Sequence, residues 1–185
     1  MIRNKKVEYN KIKNYPKRGV NFIDLTPSLT NAKVFYDVCE ELSCEYTNIE
    51  SYKYMSEGTC TFDYIIAPES RGFIWGAAVA RDNTVGIITA RKKGKLPKSE
   101  VGYSVKYDTE YSTEELEIPK VNLKGKDCIF IDDIYATGGT YRACKEMVEK
   151  AGGHLNYGLV VADIGIDDND EITSLLRGKE LWKSA

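Results

Sequence analysis

Apolar positions along the chain fall into short strand-like runs that alternate with stretches of helical period. Residues 31–46 repeat at helical spacing, with Val34, Phe35, Val38, Cys39 and Leu42 on one face. Residues 46–62 are polar, aromatic and glycine-containing, and read as an irregular insertion. Residues 63–68 form a buried-strand pattern, and a helix over 73–81 follows, whose Gly76, Ala77 and Ala78 permit close packing on a sheet. A strand over 84–90 comes next, then a long polar stretch at 98–112 without period, which reads as loop. Residues 114–118 alternate as a short edge strand, and 119–126 as a turn. Cys128 opens an apolar run that ends in Asp132 and Asp133, breaks into small and hydroxylated residues, and resumes as a helix over 141–151 closed by Gly152 and Gly153. A strand over 155–164, a short helix over 171–176 and a tail strand complete the chain. Before all of these, 15–20 is a turn punctuated by Pro16 and Gly19, and 20–27 is extended. Alternating strands and helices predict an α/β fold, a mostly parallel sheet flanked by helices. At 185 residues, with no repeat or linker, the chain suits a single domain, 1–185.

Composition narrows the function. A net charge of −2 without a long basic block argues against nucleic acid as a partner, since that needs a clustered positive surface. No stretch approaches the roughly 20 apolar residues that span a bilayer, so no membrane partner is expected. Residues 1–6 are polar and no apolar signal-peptide core follows. Five cysteines, Cys39, Cys44, Cys60, Cys128 and Cys144, form no C-x-x-C pair and predict reduced thiols in a cytoplasmic protein. The only histidine, His154, follows a glycine turn and reads as surface.

Chemistry concentrates where the strand at 128–131 gives way to a helix. Backbone N–H groups at a helix N-terminus are unpaired and sit at the positive end of the dipole, a cheap phosphate site. Gly138 and Gly139 let backbone approach an anion, Thr137 and Thr140 add hydroxyl donors, and Ala136 keeps the loop small. Asp132 and Asp133 stand at the carboxyl end of a strand, where open α/β sheets bind ligands. Carboxylates repel phosphate, so they suit ribose hydroxyls or a hydrated cation. The same strand–loop–helix order recurs at 63–81, with Ser70 and Arg71 in the loop. A guanidinium fork matches diphosphate oxygens, and a cation at a helix start is unfavourable without an anionic partner. Arg91, Lys92, Lys93 and Lys95 add four cations in five residues.

IFIDDIYATGGT, at 129–140, resembles the phosphoribosyl pyrophosphate (PRPP) signature of type I phosphoribosyltransferases, in its adenine branch. ESRGF at 69–73 is similar to the family's pyrophosphate loop, RKKGKLP at 91–97 to its R-K-x-G-K-L-P segment, and NFIDLTP at 21–27 to its base-pocket segment. VKYDTEYS at 105–112 resembles the family's lid, Y-x-L-E-Y-G. The glycines fit neither the NTPase P-loop nor the dinucleotide fingerprint.

The resemblance implies a type I phosphoribosyltransferase fold, with a base-pocket or hood segment at 1–30 and a flexible catalytic loop at 95–112. It implies transfer of phosphoribose from PRPP to adenine, giving AMP and pyrophosphate, with Mg²⁺ held through PRPP and water, and a homodimer. Its site residues carry over as follows. Asp132, Asp133, Ala136, Thr137, Gly138, Gly139 and Thr140 take ribose and 5′-phosphate, and Ser70, Arg71, Arg91 and Lys95 take pyrophosphate. Asn21, Phe22, Ile23 and Val161 take adenine, and Glu110 and Tyr111 join Arg71 as catalytic residues. On the residues alone, Phe22 and Val161 read equally as core. Ile23 stands where the family has Arg, Thr109 where it has Leu, Ser112 where it has Gly, and Tyr135 where it has Leu. Ile23, Thr109 and Tyr135 leave guanine, hypoxanthine or xanthine open as the base, while Thr109 and Ser112 bear on how the lid closes. A PRPP-sensing regulator without catalysis is a third reading, opposed by the retained Arg71, Lys95 and Glu110 and by the slightly acidic net charge.

Overall fold

The computed structural model describes residues 7–15, 17–59, 61–108 and 113–181. In chain order the elements are β1 (Asn10–Lys13), β2 (Asn21–Asp24), α1 (Thr26–Thr30), α2 (Ala32–Glu57), β3 (Tyr64–Pro68), α3 (Gly72–Asn83) and β4 (Gly86–Lys92). There follow β5 (Val101–Asp108), β6 (Thr113–Pro119), β7 (Asp127–Tyr135), α4 (Gly139–Lys150), β8 (His154–Asp163), β9 (Ile172–Arg177) and α5 (Gly178–Leu181). β1 and β2 pair as a separate antiparallel sheet. The other strands form one sheet in the order β5-β6-β4-β3-β7-β8-β9. From β4 to β9 neighbours are parallel, while β6 and β5 add an antiparallel edge.

The central strands are buried on both faces, and strand alternation divides their side chains between two cores. Ile129 and Ile131 of β7 join one core with Val38, Leu42 and Trp75 of α2 and α3. Cys128 and Phe130 join the other with Cys144, Met147 and Val148 of α4. The chain moves from β3 outward to β4 in one direction along the sheet, and from β7 outward to β8 in the other. Right-handed crossovers then place α3 and α4 on opposite faces. Between β3 and β7 the order reverses, so their carboxyl ends open a crevice there.

Three segments depart from the sequence expectation. Residues 46–57 are not an insertion but the continuation of α2, whose buried stripe runs on from Leu42 through Tyr46 and Ile49 to Lys53. Lys53 Nζ ends that stripe 2.9 Å from Asp127 at the start of β7, which ties the helix to the sheet. The stretch expected as loop at 98–112 contains β5, paired along its length with β6. β5 is therefore the edge strand and β6 lies inside it. Residues 171–176, expected as helix, form β9 beside β8, because Ile172, Leu175 and Leu176 find core on both sheet faces. Among the described residues no helix is long and apolar enough to cross a membrane.

Candidate active site

The crevice at the reversal point is a cleft of about 460 Å³. One wall begins at β3. After Pro68 the chain turns through Glu69, Ser70 and Arg71 into α3, whose first residue is Gly72. A Cβ on Gly72 would stand 2.8 Å from Pro68 and 2.9 Å from Asp132 Oδ1, so only glycine lets α3 start against β7. This close approach brings Arg71 to the acidic pair. Its Nε lies 2.7 Å from Asp133 Oδ2. The guanidinium also stands 5.8 Å from the centroid of the Phe22 ring, whose edge meets Tyr15.

Asp132 and Asp133 are the sixth and seventh residues of β7, near its carboxyl end as expected. Asp133 is 4% exposed, and its Oδ1 accepts from the N–H of Ile134. The ion pair with Arg71 aims no N–H at Oδ2, which is left buried without a hydrogen bond. A buried acceptor of this kind suits a hydroxyl donor from a ligand. Burial pushes Asp132 well above the ordinary carboxylate range, and the charge of Asp133 beside it adds to the effect. Burial also raises Asp133, with Arg71 pulling the other way. Two carboxylates with one guanidinium thus hold surplus negative potential, and ribose hydroxyls or a hydrated cation would relieve it. No cluster of three metal-ligating side chains exists among the described residues.

The opposite wall is the loop 136–140. Gly138 takes φ of 73°, and no side chain caps α4, so the first N–H groups of that helix point free into the cleft. The main chain of Asp108 at the end of β5 closes over this loop, since a Cβ on Gly139 would clash with the Asp108 carbonyl oxygen.

Most of the expected site residues meet here. Asn21, Phe22, Ile23, Ser70, Arg71, Asp132, Asp133, Ala136, Thr137, Gly138, Gly139 and Thr140 all line the cleft. Ile23 is 2% exposed and packs in the core, so what it turns to the cleft is main chain. The arginine it replaces is therefore not needed to form this wall. Val161 lies wholly in the core and outside the cleft lining, while Ile134 and Ile164 supply the aliphatic wall. Arg91 and Lys95 also stand outside the lining. Arg91 Nε is held 3.1 Å from Glu69, which additionally accepts from the N–H of Lys92 at 2.9 Å. Burial opposes ionisation of Glu69, yet these two donors hold it below its ordinary range. Glu110 and Tyr111 lie outside the described residues. Lys92, Tyr107, Asp108 and Glu114 line the cleft without having been expected to. Lys92 was legible in the cation run, and the other three flank the stretch 109–112.

Residues 35–162 match the phosphoribosyl transferase domain family. The chain belongs to the phosphoribosyltransferase family. The adenine phosphoribosyltransferase of Thermoanaerobacter sp. (strain X514) is 40% identical over 149 residues, 80% of this chain and 79% of that protein. A crystal structure of the enzyme of that name from Thermoanaerobacter pseudethanolicus superposes with a TM-score of 0.77 at 34% identity, covering 94% of this chain and 97% of its own. A second, from Saccharomyces cerevisiae, complexed with adenine and an imino-altritol bisphosphate, gives a TM-score of 0.75 at 27% identity, over 93% and 96% of the two chains. The cleft sits at the carboxyl edge of the mostly parallel sheet.

Proposed function

We infer that this phosphoribosyltransferase converts adenine and PRPP to AMP and pyrophosphate in purine salvage. The carrying observation is the cleft itself, in which a free helix N-terminus, a carboxylate pair and an arginine loop face one another. The relatives named for adenine assign the base.

In this reading the 136–140 loop takes the 5′-phosphate, and that remote anchor helps position the reacting carbon. Asp132 and Asp133 accept hydrogen bonds from the ribose hydroxyls, which fill the unpaired Oδ2 of Asp133. Arg71 leaves Asp133 and turns to the diphosphate, joined from the β4 side by Arg91 and Lys95. Phe22, freed of the guanidinium over its ring, stacks on the purine while the main chain at Asn21 and Ile23 reads its edge. Adenine N9 attacks the anomeric carbon with inversion as the bond to the pyrophosphate oxygen breaks. The N9 proton goes to a carboxylate, for which Glu110 is the candidate, with Tyr111 on the lid. Charge gathering on the leaving group is met by the cations of the two loops.

The surplus negative charge of the carboxylate pair fits Mg²⁺ held through PRPP oxygens and water. Bound there, Mg²⁺ would neutralise diphosphate charge. A homodimer in the cytoplasm completes the proposal, with β1 and β2 as a hood over the base pocket.

The test is purified protein with adenine, PRPP and Mg²⁺. AMP and pyrophosphate in equal amounts are expected. No product while PRPP still binds would instead support the regulator reading, and a duplex-DNA shift at low salt would strengthen it.

A further inference from the structure

Behind the phosphate loop lies a closed side-chain network that the chemistry above leaves unused. Tyr135 ends β7 and is 3% exposed, and its hydroxyl donates to Asp167 Oδ2 over 2.6 Å. Arg142, in the first turn of α4, donates from one nitrogen to the same oxygen at 2.8 Å and from another to the carbonyl oxygen of Thr137. Asn169 Nδ2 donates to the Tyr135 hydroxyl at 3.2 Å. Three separate stretches are joined in this way: the end of β7, the start of α4 and the β8–β9 connection. The network closes on Gly138, where a Cβ would stand 2.5 Å from the Tyr135 oxygen and 2.6 Å from both Arg142 and Asp167.

An anion loop works only when its N–H groups face the anion and its carbonyls face away. The Thr137 carbonyl, turned inward, would repel a phosphate, and Arg142 donates to it from the network side. Asp167 offsets the guanidinium charge, so the network contributes aim more than potential. Tyr135 fixes Asp167, and the planar fork of Arg142 reaches two acceptors at once, which an ammonium on a flexible stem does not.

We propose that Tyr135, Asp167 and Arg142 are positioning residues for the 5′-phosphate, holding the Thr137 carbonyl away from the anion and Gly138 in its left-handed turn. The proposal rests on reading the 136–140 loop as the PRPP phosphate site. It gives Tyr135, one of the chain's departures from the family pattern, a role shared with Arg142.

Calorimetric titration of Tyr135→Phe and Arg142→Lys with PRPP, ribose 5-phosphate and pyrophosphate, each separately with Mg²⁺, tests this. The variants keep the Tyr135 ring and the Arg142 charge, and Arg142 is more than half exposed, so folding is preserved. Affinity for PRPP and ribose 5-phosphate should fall about tenfold, the factor set by one charge-assisted hydrogen bond. Pyrophosphate affinity should be unchanged, while kcat should fall along with PRPP affinity, because the 5′-phosphate anchor helps position the reacting carbon. The double variant should lose less than the sum of the two. A lowered Tm with unchanged ribose 5-phosphate affinity, or equal weakening toward pyrophosphate, overturns the proposal. A parent protein that binds neither PRPP nor ribose 5-phosphate overturns the phosphate-site reading and this proposal with it. One that binds both but takes another base leaves the comparison intact.

Discussion

Gly138 and Gly125 are matched probes of the phosphate loop. Both sit at positive φ, 73° and 68°, but a Cβ on Gly125 meets nothing within 4 Å. Gly125→Ala therefore carries only the left-handed penalty, about 1–2 kcal/mol. Gly138→Ala carries the same penalty and drives a methyl to within 2.5–2.6 Å of three polar atoms, where ordinary contact begins at 3.4 Å. Those atoms must withdraw by nearly an ångström, which breaks the Tyr135–Asp167 hydrogen bond and the Arg142–Asp167 pair. A hydrogen bond is worth about 1 kcal/mol and a half-exposed pair about 0.2–1 kcal/mol. The total is about 2–4 kcal/mol for Gly138→Ala. At about 2–4 °C per kcal/mol for a chain of this size, Tm should fall about twice as far for Gly138→Ala as for Gly125→Ala. The separating assay is the KM for PRPP. It should rise about tenfold or more for Gly138→Ala and stay unchanged for Gly125→Ala. Equal Tm losses together with an unchanged PRPP KM in both variants would refute the reasoning.

Other outcomes follow from the same geometry. Asp132 is raised by burial and by Asp133, so its stabilising contribution is present below the ordinary carboxylate range and is lost as pH rises through its folded pKa. Asp132→Asn should accordingly raise Tm at neutral pH while lowering kcat/KM, with the Tm gap closing on acidification in a pH series of melts. Phe22→Leu should raise the adenine KM by about 2- to 12-fold, the range of an aromatic stacking contact of about 0.5–1.5 kcal/mol, and leave the PRPP KM alone in steady-state kinetics. Chelation with EDTA should abolish turnover with no change in Tm, because no described cluster of side chains forms a metal cage; a falling Tm in a chelator melt would point to a structural metal instead.

How much was legible varied with how local the signal was. The β7–loop–α4 unit was readable because its apolar run, paired carboxylates and glycine loop are all contiguous. The loop at 69–72 was readable as an anion site, but its ion pair with Asp133 joins residues 62 positions apart and exists only once Gly72 lets α3 meet β7. The second half of α2 was hidden because beyond Tyr46 its buried stripe holds only Ile49 and then Lys53, a charged side chain that does not score as apolar. Yet the spacing from Leu42 to Tyr46 to Ile49 carried the helical period all along. β9 was misread because a short apolar run has no period to separate strand from helix, and its parallel pairing with β8 decided the matter. β5 was missed because exposed Tyr103 and Ser104 and polar neighbours mask an alternation that only pairing with β6 reveals. Val161 shows the limit of spacing. Position along a strand fixes the residue, while the two-residue period decides whether it faces core or cleft.

The most direct measurement is a competition in one vessel. Equimolar adenine, guanine, hypoxanthine and xanthine would be incubated with limiting PRPP and Mg²⁺, and the nucleotides separated by chromatography. AMP as the dominant product is the result this account predicts. A dominant GMP, IMP or XMP would contradict the base assignment and send attention to the wall formed by Asn21, Ile23, Ile134 and Ile164.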